Sequence, residues 1–350
     1  MEDISNGLEP YPIPLKDGDH LGSFQFYNAD SIFSDDTPIT SYSPLITSRG
    51  DEDNEDQCSD MSTEEIGSPG SQDPSESSDS SESSEPGPQT CACSADQDGE
   101  ETLSLCTVKQ GNACDCVSSF GNFYPLPSRK SGNDQNQVLH LDALPDNLPL
   151  VECSPHCPCA GSCANKLTQR GVRVPVAVEP STSGIGLGLF HRPADAPVHT
   201  KLPRGTFVSL YAGEYLTTLE ARQRWAEQAI IRIAGEGNYI LSLRLPGETW
   251  HIDPRYKGNV GRFLNHSCDP NCVIQVVRWG TDSLPRAAIF TKRDIQAGEE
   301  LTFDYANASG SPELASKLRS EGFVGDQGER TKCLCGTQLC REWMPFDETL

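Results

Sequence analysis

Arg262-Phe263-Leu264-Asn265-His266-Ser267-Cys268-Asp269-Pro270-Asn271 and, further on, Glu300-Leu301-Thr302-Phe303-Asp304-Tyr305 are the two segments whose reading decides the fold. Asn265 carries an amide that can both donate and accept, which suits an amino-acid moiety. Read alone, His266 is a buried structural histidine, and Tyr305 is a strand-end ring packed in a core with its hydroxyl satisfied.

Cysteines flank these segments. Nine lie upstream, Cys91, Cys93, Cys106, Cys114, Cys116, Cys153, Cys157, Cys159 and Cys163, and three lie downstream, Cys333, Cys335 and Cys340. In an extended C-x-C both side chains leave the same face, so one ion can hold both. Nine thiolates serve three zinc ions at four bonds each if three of them bridge, which predicts a three-zinc cluster. A disulfide-stapled secreted module is the competing reading. It is disfavoured by the odd count and by a first stretch with no apolar signal core. The downstream trio offers three ligands to a site that needs four. Cys272 is expected to be a small core residue, and Cys58 lies in an acidic tail.

Between the cysteine sets the text is that of short strands. Val172–Val178, Thr206–Tyr211, Asn238–Leu245, Val273–Trp279 and Ala287–Thr291 are rich in β-branched and aromatic residues, and Gly, Pro and Asn punctuate them. Thr217–Ala234 predicts a helix, with Thr217-x-x-Glu220 as a capping box and Leu219, Trp225 and Ile230 on one face. No alternating strand–helix pattern is present, which disfavours a Rossmann-type fold. The run Gly184-Ile185-Gly186-Leu187-Gly188 lacks the spacing of a dinucleotide loop, and a tight turn between strands also accounts for it.

Together, RFLNHSC, FDY and C-x-C-x4-C resemble the signature of the SET-domain protein lysine methyltransferases. The order of cysteine sets resembles the suppressor-of-variegation class, and Gly258–Arg262 and Cys340–Asp347 are similar to the SET portion of the SETMAR group. The resemblance covers about residues 89 to 350. It implies a mainly β fold of several small sheets with a knot-like active site. Zinc-binding pre-SET and post-SET regions flank it, with three zinc ions before and one after, the last completed by Cys268. It implies S-adenosyl-L-methionine as methyl donor, held by Gly186, Leu187, Gly188, Tyr239, Asn265, His266 and Leu334. Leu187 stands where the family often has Trp, and Gly184 to Gly186 is the other register. Tyr305, Tyr211 and Phe303 become the catalytic candidates, Phe303 setting product number toward di- or trimethyl-lysine, and Trp343 a wall of the channel. The implied partner is a histone H3 tail or nucleosome, with lysine nine favoured and thirty-six or four as alternatives. Other chromatin proteins are expected too, in the nucleus and on chromosomes. Two other readings stay open: an inactive zinc-built chromatin scaffold, and a methyltransferase for non-histone proteins.

Charge sets the remaining boundary. Residues 1–90 hold 21 Asp/Glu against Lys16 and Arg49, a net −19 of the chain's −24. With the Ser/Pro/Gly run Gly67–Pro88, this predicts a disordered acidic tail over residues 1–88, either solubilising or docking basic histone surfaces. The expected order continues with pre-SET 89–170, SET 171–306, a linker 307–328 and post-SET 329–347. No run long and apolar enough for a membrane span and no dedicated DNA-binding motif is seen.

Overall fold

The computed structural model describes residues 2–15, 21, 24–33, 115–124, 137–144, 148–157, 159, 163–184, 186–193, 201–231, 238–281, 283–306, 331–345, 347 and 350. Cys58, Cys91, Cys93, Cys106, Cys114 and the Ser-rich run lie outside them, as does the linker 307–328. All described residues fall in one unit, Met1–Pro38 with Gln89–Leu350. No helix among them is long and apolar enough to cross a membrane.

The N-terminal residues contribute β1 (Glu2–Asp3), β2 (Pro14–Leu15), β3 (Phe26–Tyr27) and β4 (Ile32–Phe33). This corrects the expectation that the acidic tail is disordered from residue 1. β2 pairs in parallel with β6 (Val176–Pro180), and β4 with β9 (Glu214–Leu216). Composition averaged over 88 residues hid the cause. Ile4, Ile13, Phe24 and Tyr27 are all buried in the main core. The local acids are also used structurally. Asp3 accepts from the backbone of Ser5, Gly7 and Ile13, and Asp30 grips Arg286 at 2.7 Å. Buried Glu9 accepts the Tyr27 hydroxyl at 2.7 Å and the Val172 N–H at 2.8 Å.

Two larger sheets carry the body. One has the order β1-β2-β6-β7-β16-β13, with β7 Leu187–His191, β13 Asn265–His266 and β16 Glu300–Phe303. The other runs β5-β14-β15-β8, with β5 Leu150–Glu152, β8 Phe207–Leu210, β14 Cys272–Trp279 and β15 Arg286–Thr291. The predicted strands Thr206–Tyr211, Val273–Trp279 and Ala287–Thr291 are these last three elements, displaced by a residue or so. β5 precedes Cys153 yet pairs in parallel with β14, so the upstream cysteine region is sewn into the central sheet.

A third sheet, β10-β11-β9-β4, adds β10 (Leu241–Leu245) and β11 (Glu248–Asp253), and β12 (Lys257–Gly258) pairs with β3. Helix α1 (Asp115–Phe120) lies beside the upstream cysteines, and α2 (Thr218–Ile231) is the predicted helix. Its capping box is formed: Glu220 N–H donates to Thr217 Oγ1 at 3.3 Å, and Thr217 N–H to Glu220 Oε2 at 2.7 Å. Leu219, expected on its buried face, is 68% exposed. Trp225, expected on the same face, does pack against the body, together with Ala221, while the side chain of Ile230 lies outside the described residues.

Candidate active site

β13 and β16 bring the two deciding segments side by side. They pair in parallel, Asn265 opposite Thr302 and His266 opposite Phe303. Asn271 clamps the crossing: its Nδ2 donates to the Glu300 carbonyl at 2.8 Å, and its Oδ1 accepts from Thr302 N–H at 2.9 Å.

On one side of this ladder lies a donor-type cradle. Asn265 Nδ2 donates to Leu187 O at 3.1 Å and to Glu300 Oε1 at 2.8 Å, which leaves Oδ1 open as an acceptor among the described residues. Glu300 also accepts from Ser181 Oγ, Thr182 N–H and Thr182 Oγ1. Burial would raise its carboxyl, but the bonds from Thr182 and Asn265 outweigh that and hold it below the ordinary range. Gly186 has φ +60°, and a Cβ there would meet nothing within 4 Å, so its backbone is open to a close ligand. At Gly188 a Cβ would fall 2.3 Å from Glu300 Oε1. The Leu187–Asn265 bond therefore favours the Gly186-Leu187-Gly188 register. An open amide acceptor and an unobstructed glycine backbone fit the amino-acid end of S-adenosylmethionine.

Beside it lies a cluster of aromatic rings, the candidate lysine channel. Phe303 is buried, its ring centroid 4.6 Å from that of Tyr305 and 6.0 Å from that of Tyr211. Tyr305 Oη donates to Leu264 O at 3.0 Å, and Tyr211 Oη to Tyr239 O at 2.6 Å. Burial pushes both hydroxyls above their usual range, so each stays protonated near neutral pH. Each spends its proton on a backbone carbonyl and keeps its oxygen lone pairs to accept from an incoming N–H.

His266 joins cradle, channel and tail. Its Nδ1 accepts the Tyr305 N–H at 3.2 Å, and its Nε2 lies 3.3 Å from Cys268 Sγ and 3.4 Å from Arg341 Nη2. Burial lowers its pKa to about 4, against a smaller opposing pull from Asp304. The imidazole is therefore neutral, and its 3.7 Å approach to Asp304 is no ion pair.

The four sulfurs of Cys268, Cys333, Cys335 and Cys340 lie within 4.8 Å of one another, and Cys268 and Cys333 are 3.7 Å apart. Tetrahedral zinc with bonds of about 2.3 Å sets sulfurs roughly 3.8 Å apart, so this set fits the ion. Backbone N–H groups of Arg341 and Glu342 point at Cys268 and Cys340 sulfurs, as expected around thiolates. Upstream, Cys153, Cys159 and Cys163 form a second such group, with Cys157 and Cys116 packed against it. Cys272 is buried in the main core and burial raises its thiol to about 12, in keeping with a packing role. Leu334, between two cysteines of the tail set, is 54% exposed.

Sequence reasoning missed several residues here. Glu300 stood in the quoted segment without a role, because nothing local marks the acid that Asn265 reaches at 2.8 Å from 35 residues away. Arg341, in the tail, reaches Asp304 at 2.6 Å, and nothing local signals it. Nor does anything signal Phe24, which sits beside Arg262.

Known proteins agree with this geometry. Residues 199–306 match the SET domain family. A probable histone-lysine N-methyltransferase, set-23 of Caenorhabditis briggsae, is 40% identical over 205 residues, 56% of this chain and 73% of that protein. The crystal structure of the methyltransferase domain of human SETMAR superposes with a TM-score of 0.61 at 23% identity, over 99% of this chain and 98% of that one. KRYPTONITE, solved with mCHH DNA, an H3(1-15) peptide and SAH, gives 0.57 at 22% identity, over 98% of this chain and 53% of that one. The chain belongs to the SET-domain histone-lysine N-methyltransferases.

Proposed function

We propose that this protein transfers methyl groups from S-adenosylmethionine to a lysine of the histone H3 tail, reaching the di- or trimethyl state, on chromatin in the nucleus. Lysine nine is the favoured position, with thirty-six or four next. One observation carries the reading. The Asn265 cradle and the Tyr305 channel are adjacent on the β13–β16 ladder, so a ligand in one faces a side chain in the other.

S-adenosylmethionine, when bound, supplies an electrophilic methyl on a positively charged sulfur. Asn265 Oδ1 would hold its ammonium, and the Gly186–Gly188 backbone would lie along it. The Tyr305 oxygen, its own proton committed to Leu264 O, would accept one N–H of the entering amine and leave the nitrogen lone pair turned toward the cradle. A free lysine has a pKa of about 10.4 and must first lose a proton, which an apolar channel assists by disfavouring charge. Phe303 offers no hydroxyl to fill the channel, which leaves room for added methyls. Cys268, Cys333, Cys335 and Cys340 would hold one zinc, and the upstream set, extended by Cys91, Cys93, Cys106 and Cys114, would hold three.

Labelled-methyl transfer onto an H3 peptide panel, with Tyr305→Phe as control, tests this. Transfer to an H3 lysine that Tyr305→Phe abolishes is the expected result. Donor binding without transfer to any H3 peptide points to a non-histone substrate, and no donor binding points to an inactive scaffold. Either sinks the proposal.

A further inference from the structure

Arg262 ends the 3-10 turn Val260–Phe263, three residues before Asn265, and is only 6% exposed. Its Nε donates to Pro254 O at 3.1 Å. Its guanidinium carbon lies 4.4 Å from the Tyr239 ring centroid, 5.1 Å from that of Phe24 and 5.0 Å from that of Phe263. Among the described residues it has no carboxylate partner, and its buried Nη2 finds no acceptor.

That is unusual. Buried charges are ordinarily paired, and other arginines of this body obey the rule. Arg224 meets Glu214 and Asp253, Arg278 meets Glu248, and Arg286 meets Asp30. Around Arg262, aromatic faces take the place of a counter-ion, and ring quadrupoles stabilise a cation without cancelling its field. The cage belongs to the channel. The Tyr239 carbonyl takes the Tyr211 hydroxyl, and Leu264 O, two residues beyond Arg262, takes that of Tyr305. The positive charge is felt at both hydroxyls, where it opposes the effect of burial.

Two other charged groups lie near these hydroxyls. Asp253 is paired with Arg224 and accepts from the Arg255 N–H. Glu300 is held ionised by neutral donors of Asn265, Ser181 and Thr182, and its negative charge is the same in every variant below, so the comparison isolates Arg262. Burial holds the Tyr211 and Tyr305 hydroxyls above their ordinary range, and His266, its ring centroid 5.2 Å from that of Tyr305, is neutral.

We propose that Arg262 is a positioning residue of an electrostatic kind. Its unpaired charge, caged between Tyr239 and Phe24, disfavours the ammonium form of the entering lysine and so raises the fraction of nucleophilic amine. The proposal rests on the lysine methyl transfer argued above. A like charge at this range lowers an amine's pKa by about one unit or more. A carboxylate in place of one ring would cancel the effect, which gives the cage a chemical reason. Phe24 belongs to the N-terminal segment, so that segment furnishes part of the channel's rear wall.

The test is the pH profile of kcat at saturating H3 peptide and S-adenosylmethionine, which reports ionisation in the bound complex, for the full chain from about pH 6.5 to 10, in wild type, Arg262→Gln, Arg262→Lys, Phe24→Glu and Phe24→Leu. In Arg262→Gln the ascending limb should move up by about one pH unit, giving roughly tenfold loss at neutral pH that largely recovers in alkali. Arg262→Lys keeps the charge and should keep the wild-type limb. Phe24→Glu leaves Arg262 in place but pairs it, and should move the limb as Arg262→Gln does, whereas Phe24→Leu should not. This arm decides the matter if Arg262→Gln does not fold. A uniform loss across pH, or limbs that coincide with wild type in Arg262→Gln or Phe24→Glu, overturns the role of the charge while methyl transfer stands. A wild type that methylates nothing at any pH fails the functional reading itself and takes this proposal with it.

Discussion

Arg341 places its Nη2 2.6 Å from Asp304 Oδ1, so the tail of the thiol cluster grips the residue immediately before Tyr305. Asp304 is buried and its second visible partner is the Ala306 N–H. The backbone N–H of the same arginine points at Cys268 Sγ, 3.4 Å away. The metal-type site and the channel are thus two ends of one short chain of contacts. The upstream thiols of Cys153, Cys157, Cys159 and Cys163 are all buried and follow directly on β5, which β14 holds in the central sheet.

Chelation should therefore act in two stages. A chelator titration should abolish methyl transfer while far-UV circular dichroism is unchanged, because the tail site is peripheral and binds between distant segments. Coincident loss of ellipticity and turnover would contradict this order.

Phe303→Tyr adds a hydroxyl between Tyr211 and Tyr305, where the ring now packs at 3 % exposure. The expected outcome is a shift of products toward monomethyl-lysine with little loss of the first turnover, read by mass spectrometry. Unchanged product ratios would refute a role for this position in product number.

Ile13 is 1% exposed and Leu8 is 57% exposed, though both belong to the same acidic segment. Ile13→Ala should cost about 2–4 kcal/mol in denaturant unfolding. Leu8→Ala should stay within about 0.5 kcal/mol. Equal, small effects would mean that the N-terminal residues are not part of the folded body.

His251 is fully buried between Ser242 Oγ at 2.8 Å and Thr218 Oγ1 at 3.2 Å, and burial lowers its pKa. As pH falls, the unfolded chain takes up this proton first. The stability from this group is therefore complete above about pH 6.5 and is lost below it. His266, also lowered, acts with the same sign in every variant. His251→Asn should narrow the difference in Tm between pH 7.5 and 5.5. A difference as wide as wild type would show that His251 carries none of it.

What was legible in the sequence was what is local. Strands of β-branched residues, the Thr217–Glu220 box and the tail thiol spacing each depend on neighbours within a few positions. The pairing of Asn265 with Tyr305 was legible through resemblance, since no spacing rule relates them. Phe24 against Arg262 and Arg341 against Asp304 were not, because each is a contact between remote segments with no compositional trace. Leu219 misled for a related reason. Periodicity marks a helix face but not which neighbour arrives to cover it, and Ala221 lies against the body instead.

The two-residue ladder of Asn265–His266 on Thr302–Phe303 has a consequence for biosynthesis. Until residues 300–303 have left the ribosome, Asn265 has neither its glutamate nor its ladder partner Thr302. A nascent chain, however well its earlier sheets have formed, lacks this cradle until that late segment emerges.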